Sequence, residues 1–306
     1  MNYSEEDNHG RRALQRAGRL FALLAGAAAV VAGGNLMAAD IEATLYPGQT
    51  TTNSASVTVP VLPPNANVLF SFDCTSSMGA IIDGGKSNAL SLMASLGATG
   101  VSFRYGVASF RDYPTNYTSC GYSSTYGDAP SGDYAYQLNQ RMTATTIAVS
   151  AAINTLSASG GYDASEAYTR ALYESYADTN VMWQAGAKRV VVNFGDDMPH
   201  ACNLNLGIPG TGTSIWSTGG DPGRDGIMGT SDDLVLQEVL AGMASNHVVL
   251  LAARSSTYNN YTNYWANWTA RTGGKAFLTT SGSLIKDLVH EITNSMTIAC
   301  VSDVHV

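Results

Sequence analysis

From residue 67 onward, short apolar runs alternate with longer segments whose apolar residues recur every three or four positions. Residues 68–72 read as a strand, and 80–96 as a helix carrying Leu92 and Leu96 on one face. Strands follow at 102–109 and 134–142, then helical spacing at 145–156 and 166–177. The valine-rich run 189–194 reads as a fully buried strand. A helix at 234–244, strands at 248–252 and 276–278, and a closing helix at 284–297 complete the series. Uninterrupted apolar strands between helices predict an α/β fold: a doubly wound, mostly parallel central sheet flanked by helices. Ahead of this block, 40–66 reads as an extended β arm. Ser56-Val57-Thr58-Val59 alternates there, and Pro60, Pro63 and Pro64 exclude a helix.

The first 39 residues belong to a different regime. Arg11, Arg12, Arg16 and Arg19 precede the apolar run 20–33, and Ala38 and Ala39 offer small residues before Asp40. This is the layout of a signal peptide, with an uncleaved membrane anchor as the alternative. Export fits a chain with only 13% charged residues, whose surface must be supplied by Gly, Ser, Thr, Tyr and Asn. Cleavage would remove four arginines but only Glu5, Glu6 and Asp7, leaving the rest one unit more acidic than the −8 of the whole chain. No basic stripe remains, so nucleic acid is not an expected partner. Nor is a lipid membrane expected, apart from that N-terminal anchor. A secreted or cell-surface location follows from these features, with residues 300–306 as a C-terminal tail.

Candidate chemistry sits where apolar runs end. Asp73-Cys74-Thr75-Ser76-Ser77 follows the first strand, placing a carboxylate and two hydroxyls at alternating positions. Oxygen donors of this kind suit a small hard cation such as Mg²⁺. Asp112 follows the second strand, Asp163 and Glu166 lie in Gly160-Gly161-Tyr162-Asp163-Ala164-Ser165-Glu166, and Asp196 and Asp197 follow the valine-rich strand. In an open α/β sheet these positions meet at the carboxyl edge of the strands, where ligands bind.

Together these motifs, spread over about residues 67–299, resemble the von Willebrand factor A (vWA) family and its metal-ion-dependent adhesion site. Asp73, Thr75 and Ser77 match D-x-[ST]-x-S, and Asp196 matches the acid of the later strand end, within a D-x-x-P-H string that closes on His200. The glycine-rich loop is similar to G-G-x-D-x-P-E-A, with Ser165 in place of proline. The resemblance implies Mg²⁺ or Mn²⁺ held by Thr75, Ser77 and Glu166, with Asp73 and Asp196 as direct or outer partners. Hydroxyl ligands leave positive charge on the ion for a partner's carboxylate. The implied role is therefore adhesion to an extracellular protein or glycoprotein rather than catalysis. Asp112 and Asp163 match positions of a second, calcium-holding site in integrin β chains, although Gly161 replaces that pattern's asparagine. The alternative role is a structural subunit of an extracellular fibre or surface layer, stabilised by metal ions and self-associating through its arm by strand addition.

Three further readings remain. The insertion 219–233 brings Asp221, Asp225, Asp232 and Asp233 close in sequence around Gly226. It reads as a Ca²⁺ loop outside a true EF-hand, against the alternative of a solvated turn region. All four cysteines, Cys74, Cys120, Cys202 and Cys300, lie in the exported part and allow three pairings. If the fold is of the vWA type, Cys120 and Cys202 both follow strand ends on the metal face, which favours their pairing. His200 reads as a structural or loop-contact histidine, since no nucleophile elbow or HExxH motif accompanies it.

Overall fold

The computed structural model describes residues 65–209, 216–255 and 262–294. The expected signal peptide, nearly all of the expected arm, Cys300 and the C-terminal tail lie outside the described residues.

The first apolar run forms β1 (Asn65–Asp73), buried from Ala66 to its end. Burial on both faces explains why its sequence does not alternate. Val68, Phe70 and Phe72 enter one core while Leu69 enters the other. Beside it runs β2 (Ser102–Phe110), followed by a hairpin of β3 (Asn116–Ser119) and β4 (Tyr122–Thr125), and then β5 (Gln137–Thr143). Later come the two-residue β6 (Ser165–Glu166), then β7 (Lys188–Gly195), the two-residue β8 (Met198–Pro199), β9 (Val248–Arg254) and β10 (Ala276–Leu278). The main sheet has six strands in the order β10-β9-β7-β1-β2-β5. All its pairings are parallel except β2 with β5.

Helices cover both faces. On one, α1 (Ile82–Gly97), α2 (Thr146–Thr155) and α6 (Leu284–Asn294) bury Leu92, Leu96, Val149, Ile153, Leu284, Leu288 and Ile292 against the sheet. The i, i+4, i+8 spacing of the α6 residues is the stripe such a helix needs. On the other face, α3 (Tyr168–Ala177), α4 (Leu236–Ser245) and α5 (Thr262–Ala270) contribute Leu172, Val239, Leu240, Trp265 and Trp268.

Several boundaries move from their expected places. The stretch after β1 first makes a 3-10 turn, Ser76–Ala80, so α1 begins only at Ile82. Glu166 is not the first residue of a helix; it pairs in β6 with β8, and α3 starts at Tyr168. The strand expected at 134–142 is shifted, runs antiparallel and closes one edge of the sheet. The β3–β4 hairpin was not expected. Its two-residue turn is Cys120-Gly121, both with positive φ (42° and 81°), a type I′ arrangement in which glycine at the second position avoids a Cβ clash. Cys120 in that turn is bridged to Cys202, beyond β8, with Cα atoms 5.6 Å apart. The link spans 82 residues, which in the chain-entropy view stabilises the fold by about 4–5 kcal/mol. Cys74 is a buried free thiol.

Candidate functional site

Parallel register brings the carboxyl ends of three strands to one edge. Asp73 stands opposite Phe110 of β2, and Phe72 opposite Phe194 of β7. The residues just beyond these ends, Asp112 and Asp196, therefore converge with Asp73 although they are distant in sequence. The glycine-rich loop is held against them by backbone bonds from Ser76 N to Gly160 O (2.9 Å) and from Ser159 N to Cys74 O (2.9 Å). A third bond, His200 N to Glu166 O (3.1 Å), ties the loop to the segment after β7. Gly161 has φ +69°, and a Cβ there would lie 2.8 Å from Glu166 Oε1 and 3.0 Å from Thr75 Cβ. The close approach of Glu166 to Thr75 thus requires glycine.

Around Thr75 the expected adhesion residues form one connected cluster. Thr75 Oγ1 donates to Asp73 Oδ1 at 2.6 Å and lies 3.2 Å from Ser77 Oγ, which donates to Asp196 Oδ1 at 3.2 Å. Asp73 and Thr75 are fully buried, Glu166 and Asp196 nearly so, and Ser77 is exposed. Glu166 Oε2 is buried without a hydrogen-bond partner among the described residues. Burial, reinforced by Asp196, pushes the Asp73 carboxyl up to about 6. Burial, with Asp112, Asp73 and Asp163 nearby, raises Glu166 well above the usual carboxylate range. Asp197 is pushed up to about 7, again by burial first. A dry pocket crowded with carboxylates favours protons or cations.

Two supporting residues had no role in the sequence reading. Tyr168, the first residue of α3, donates its hydroxyl to Asp73 Oδ2 and accepts from the Asp196 and Asp197 amides at 3.1 and 3.2 Å. It therefore joins the ends of β1 and β7. Arg254, buried at the end of β9, donates to the Asp197 carbonyl and lies over the Trp265 ring at 4.1 Å. Its charge opposes the upward shift of Asp196 and Asp197. Only the distance between these residues in sequence hid them.

Next to this cluster lies a second group. Asp112, Asp163 and His200 each offer a ligand atom, all within 4.8 Å of one another, so the group can hold a metal ion. No other set of three or more His, Cys, Asp or Glu residues meets that spacing among the described residues. His200 is completely buried and its Nε2 lies 3.0 Å from Asp112 Oδ2. Burial raises Asp112 to about 7 even though His200 opposes the shift. For His200 itself, burial acts downward, but Asp112, Asp163 and the Thr218 carbonyl outweigh it and raise the imidazole to about 9. The sequence reading took His200 as a structural or loop contact and missed this grouping; its place at the end of the D-x-x-P-H string, just past the acidic strand end, was the signal that could have found it.

The acidic insertion behaves differently. Asp221 is fully buried and accepts from Tyr113 Oη at 2.6 Å and from Gly223 N at 3.0 Å. Asp232 accepts from the amides of Arg224 and Asp225, Asp233 from that of Gly229, and Asp225 from that of Ile227. Among the described residues these four carboxylates form no set of three ligand atoms within 4.8 Å of one another; each accepts from a turn amide, and Asp232 and Asp233 share the Thr230 hydroxyl.

Compared with known proteins, the chain matches no family model and no curated protein.

Proposed function

We propose that this chain is an extracellular binding protein that uses a divalent cation beside Thr75 to engage a carboxylate on a partner protein. The supporting observation is the hydroxyl–carboxylate chain from Asp73 through Thr75 and Ser77 to Asp196, with Glu166 Oε2 buried against it and lacking a hydrogen bond. Buried negative charge of this density costs several kcal/mol unless compensated. A Mg²⁺ or Mn²⁺ ion compensates it, and the two hydroxyls, being neutral, leave the ion electrophilic. Exposed Ser77 marks the open side from which a partner would approach. The Cys120–Cys202 bridge is consistent with an oxidising, extracellular setting.

Calorimetry with Mg²⁺ and Mn²⁺ tests the cation, and water proton relaxation of the Mn²⁺ form tests the open position. The expected result is one binding event lost in Ser77→Ala, with bound-water relaxivity falling when a carboxylate such as acetate is added. Unchanged Mn²⁺ affinity in folded Ser77→Ala would remove the basis for this reading.

A further inference from the structure

We propose that Asp112, Asp163 and His200 form a second metal site, one that selects a nitrogen-accepting transition ion of the Zn²⁺ or Co²⁺ type over Ca²⁺ and Mg²⁺. It rests on different residues from the proposed adhesion site and stands or falls separately. The histidine is oriented as a ligand. Its Nδ1 lies 2.7 Å from the Thr218 carbonyl, which can only accept, so Nδ1 carries a proton and donates. Nε2 then faces Asp112 Oδ2 at 3.0 Å and Asp163 Oδ1 at 3.8 Å, and an ion binding there displaces its proton. A backbone carbonyl fixing the tautomer in this way is the usual outer support of a metal-bound imidazole. Tyr126 stacks on the ring with centroids 3.6 Å apart and planes within 4°, so the ring cannot swing away.

The two carboxylates need a cation between them, either the proton on the imidazole or a metal ion that replaces it. Asp163 Oδ1 supplies the second observation: its side chain is 8% exposed, yet this oxygen has no hydrogen-bond partner among the described residues and faces the imidazole. Its other oxygen is already taken by Tyr122 Oη at 2.8 Å. Ligand atoms at ~2.1 Å from a Zn²⁺-like ion stand ~3.0–3.4 Å apart at octahedral or tetrahedral angles. The observed 3.0 and 3.8 Å separations bracket that range, so small shifts suffice. Two carboxylates also neutralise the ion's charge. Ca²⁺ instead wants about six to eight oxygens, and here one of the three donors is nitrogen. Such an ion would pin three segments together: the end of β2, the glycine-rich loop and the stretch after β8.

The test is a Co²⁺ titration of the EDTA-stripped chain, lacking only the N-terminal signal, followed by visible absorption. One equivalent of Co²⁺ should give a d–d band that Zn²⁺ removes and an about 100-fold excess of Ca²⁺ or Mg²⁺ does not. Asp163→Asn should abolish the band while melting like the wild type in EDTA, and Ser77→Ala should keep it. Should Asp163→Asn fail to fold, X-ray absorption of the Zn²⁺ form decides, with an imidazole nitrogen in the shell expected. No band, a band retained in folded Asp163→Asn, displacement by Ca²⁺, or an all-oxygen shell would each overturn the proposal.

Discussion

The strand edge and the insertion at 219–233 are both rich in acid, yet they treat their carboxylates in opposite ways. In the insertion, four aspartates within thirteen residues disperse, each bonded to a nearby backbone amide or, for Asp221, also to Tyr113. At the strand edge, Asp73, Asp112, Glu166 and Asp196 come from far apart in sequence and end up buried together, with Glu166 Oε2 unsatisfied. Density in sequence therefore says little about density in space. Short acidic stretches find local amides, because turns offer them cheaply. Acids at parallel strand ends have no such choice, since the register of the sheet sets their positions.

The comparison can be broken by mutation, starting where the effect should be largest. Glu166→Gln should weaken Mn²⁺ binding by more than about 100-fold, exceeding the loss expected for an outer-shell partner, as read by calorimetry. In metal-free protein the same change should be stabilising at pH 8. The folded Glu166 pKa is raised, so its favourable contribution exists at low pH and is lost as pH rises through the folded value.

Asp221→Asn separates burial from metal binding. Burial raises Asp221 to about 6 from 3.8, so its contribution is complete below about pH 4 and lost as pH rises through about 6. Denaturant unfolding at pH 8 should show the variant more stable by on the order of 3 kcal/mol, with the difference vanishing near pH 3.5. Ca²⁺ affinity should be unchanged in both. A smaller effect is expected at Asp232, lowered to about 2 chiefly by the Thr230 hydroxyl and the Asp225 amide. Asp232→Ala should lower the melting temperature at pH 7 and leave it unchanged near pH 1, where the wild-type carboxylate is protonated. Smallest of all, Asp225→Ala should alter neither melting nor Ca²⁺ binding. A Ca²⁺ event lost in either variant would assign the insertion as a calcium loop.

Much of this was legible in the sequence because burial on both faces writes a parallel strand as a plain apolar run. Val190, Val191 and Val192 are such a run, and all three are fully buried. The acids just past those runs were readable for the same reason, as was the Cys120–Cys202 pairing once their strand ends were placed on one face. Other features depended on contacts with no local trace. His200 reaches Asp112 across 88 positions, and Tyr168 reaches Asp73 across 95. The β3–β4 hairpin did leave a trace: two polar, β-prone runs on either side of Cys120-Gly121. Its strands, half-buried or exposed apart from the buried Tyr117, lack the apolar character that marks the central sheet. Glu166 was placed on a helix because its neighbours have helical spacing, whereas pairing with Pro199 draws it into a short strand.

Trp265 gives the molecule a built-in optical probe. The indole is completely buried, its Nε1 donates to the Asp197 carbonyl at 3.1 Å, and its ring meets the edge of Tyr168, the residue bonded to Asp73. A cation settling beside Asp73 and Asp196 changes the electric field across that indole, so intrinsic fluorescence should report occupancy without any label. Trp265→Phe would silence the signal while leaving every candidate ligand in place, and a signal that survives that replacement would have to arise elsewhere.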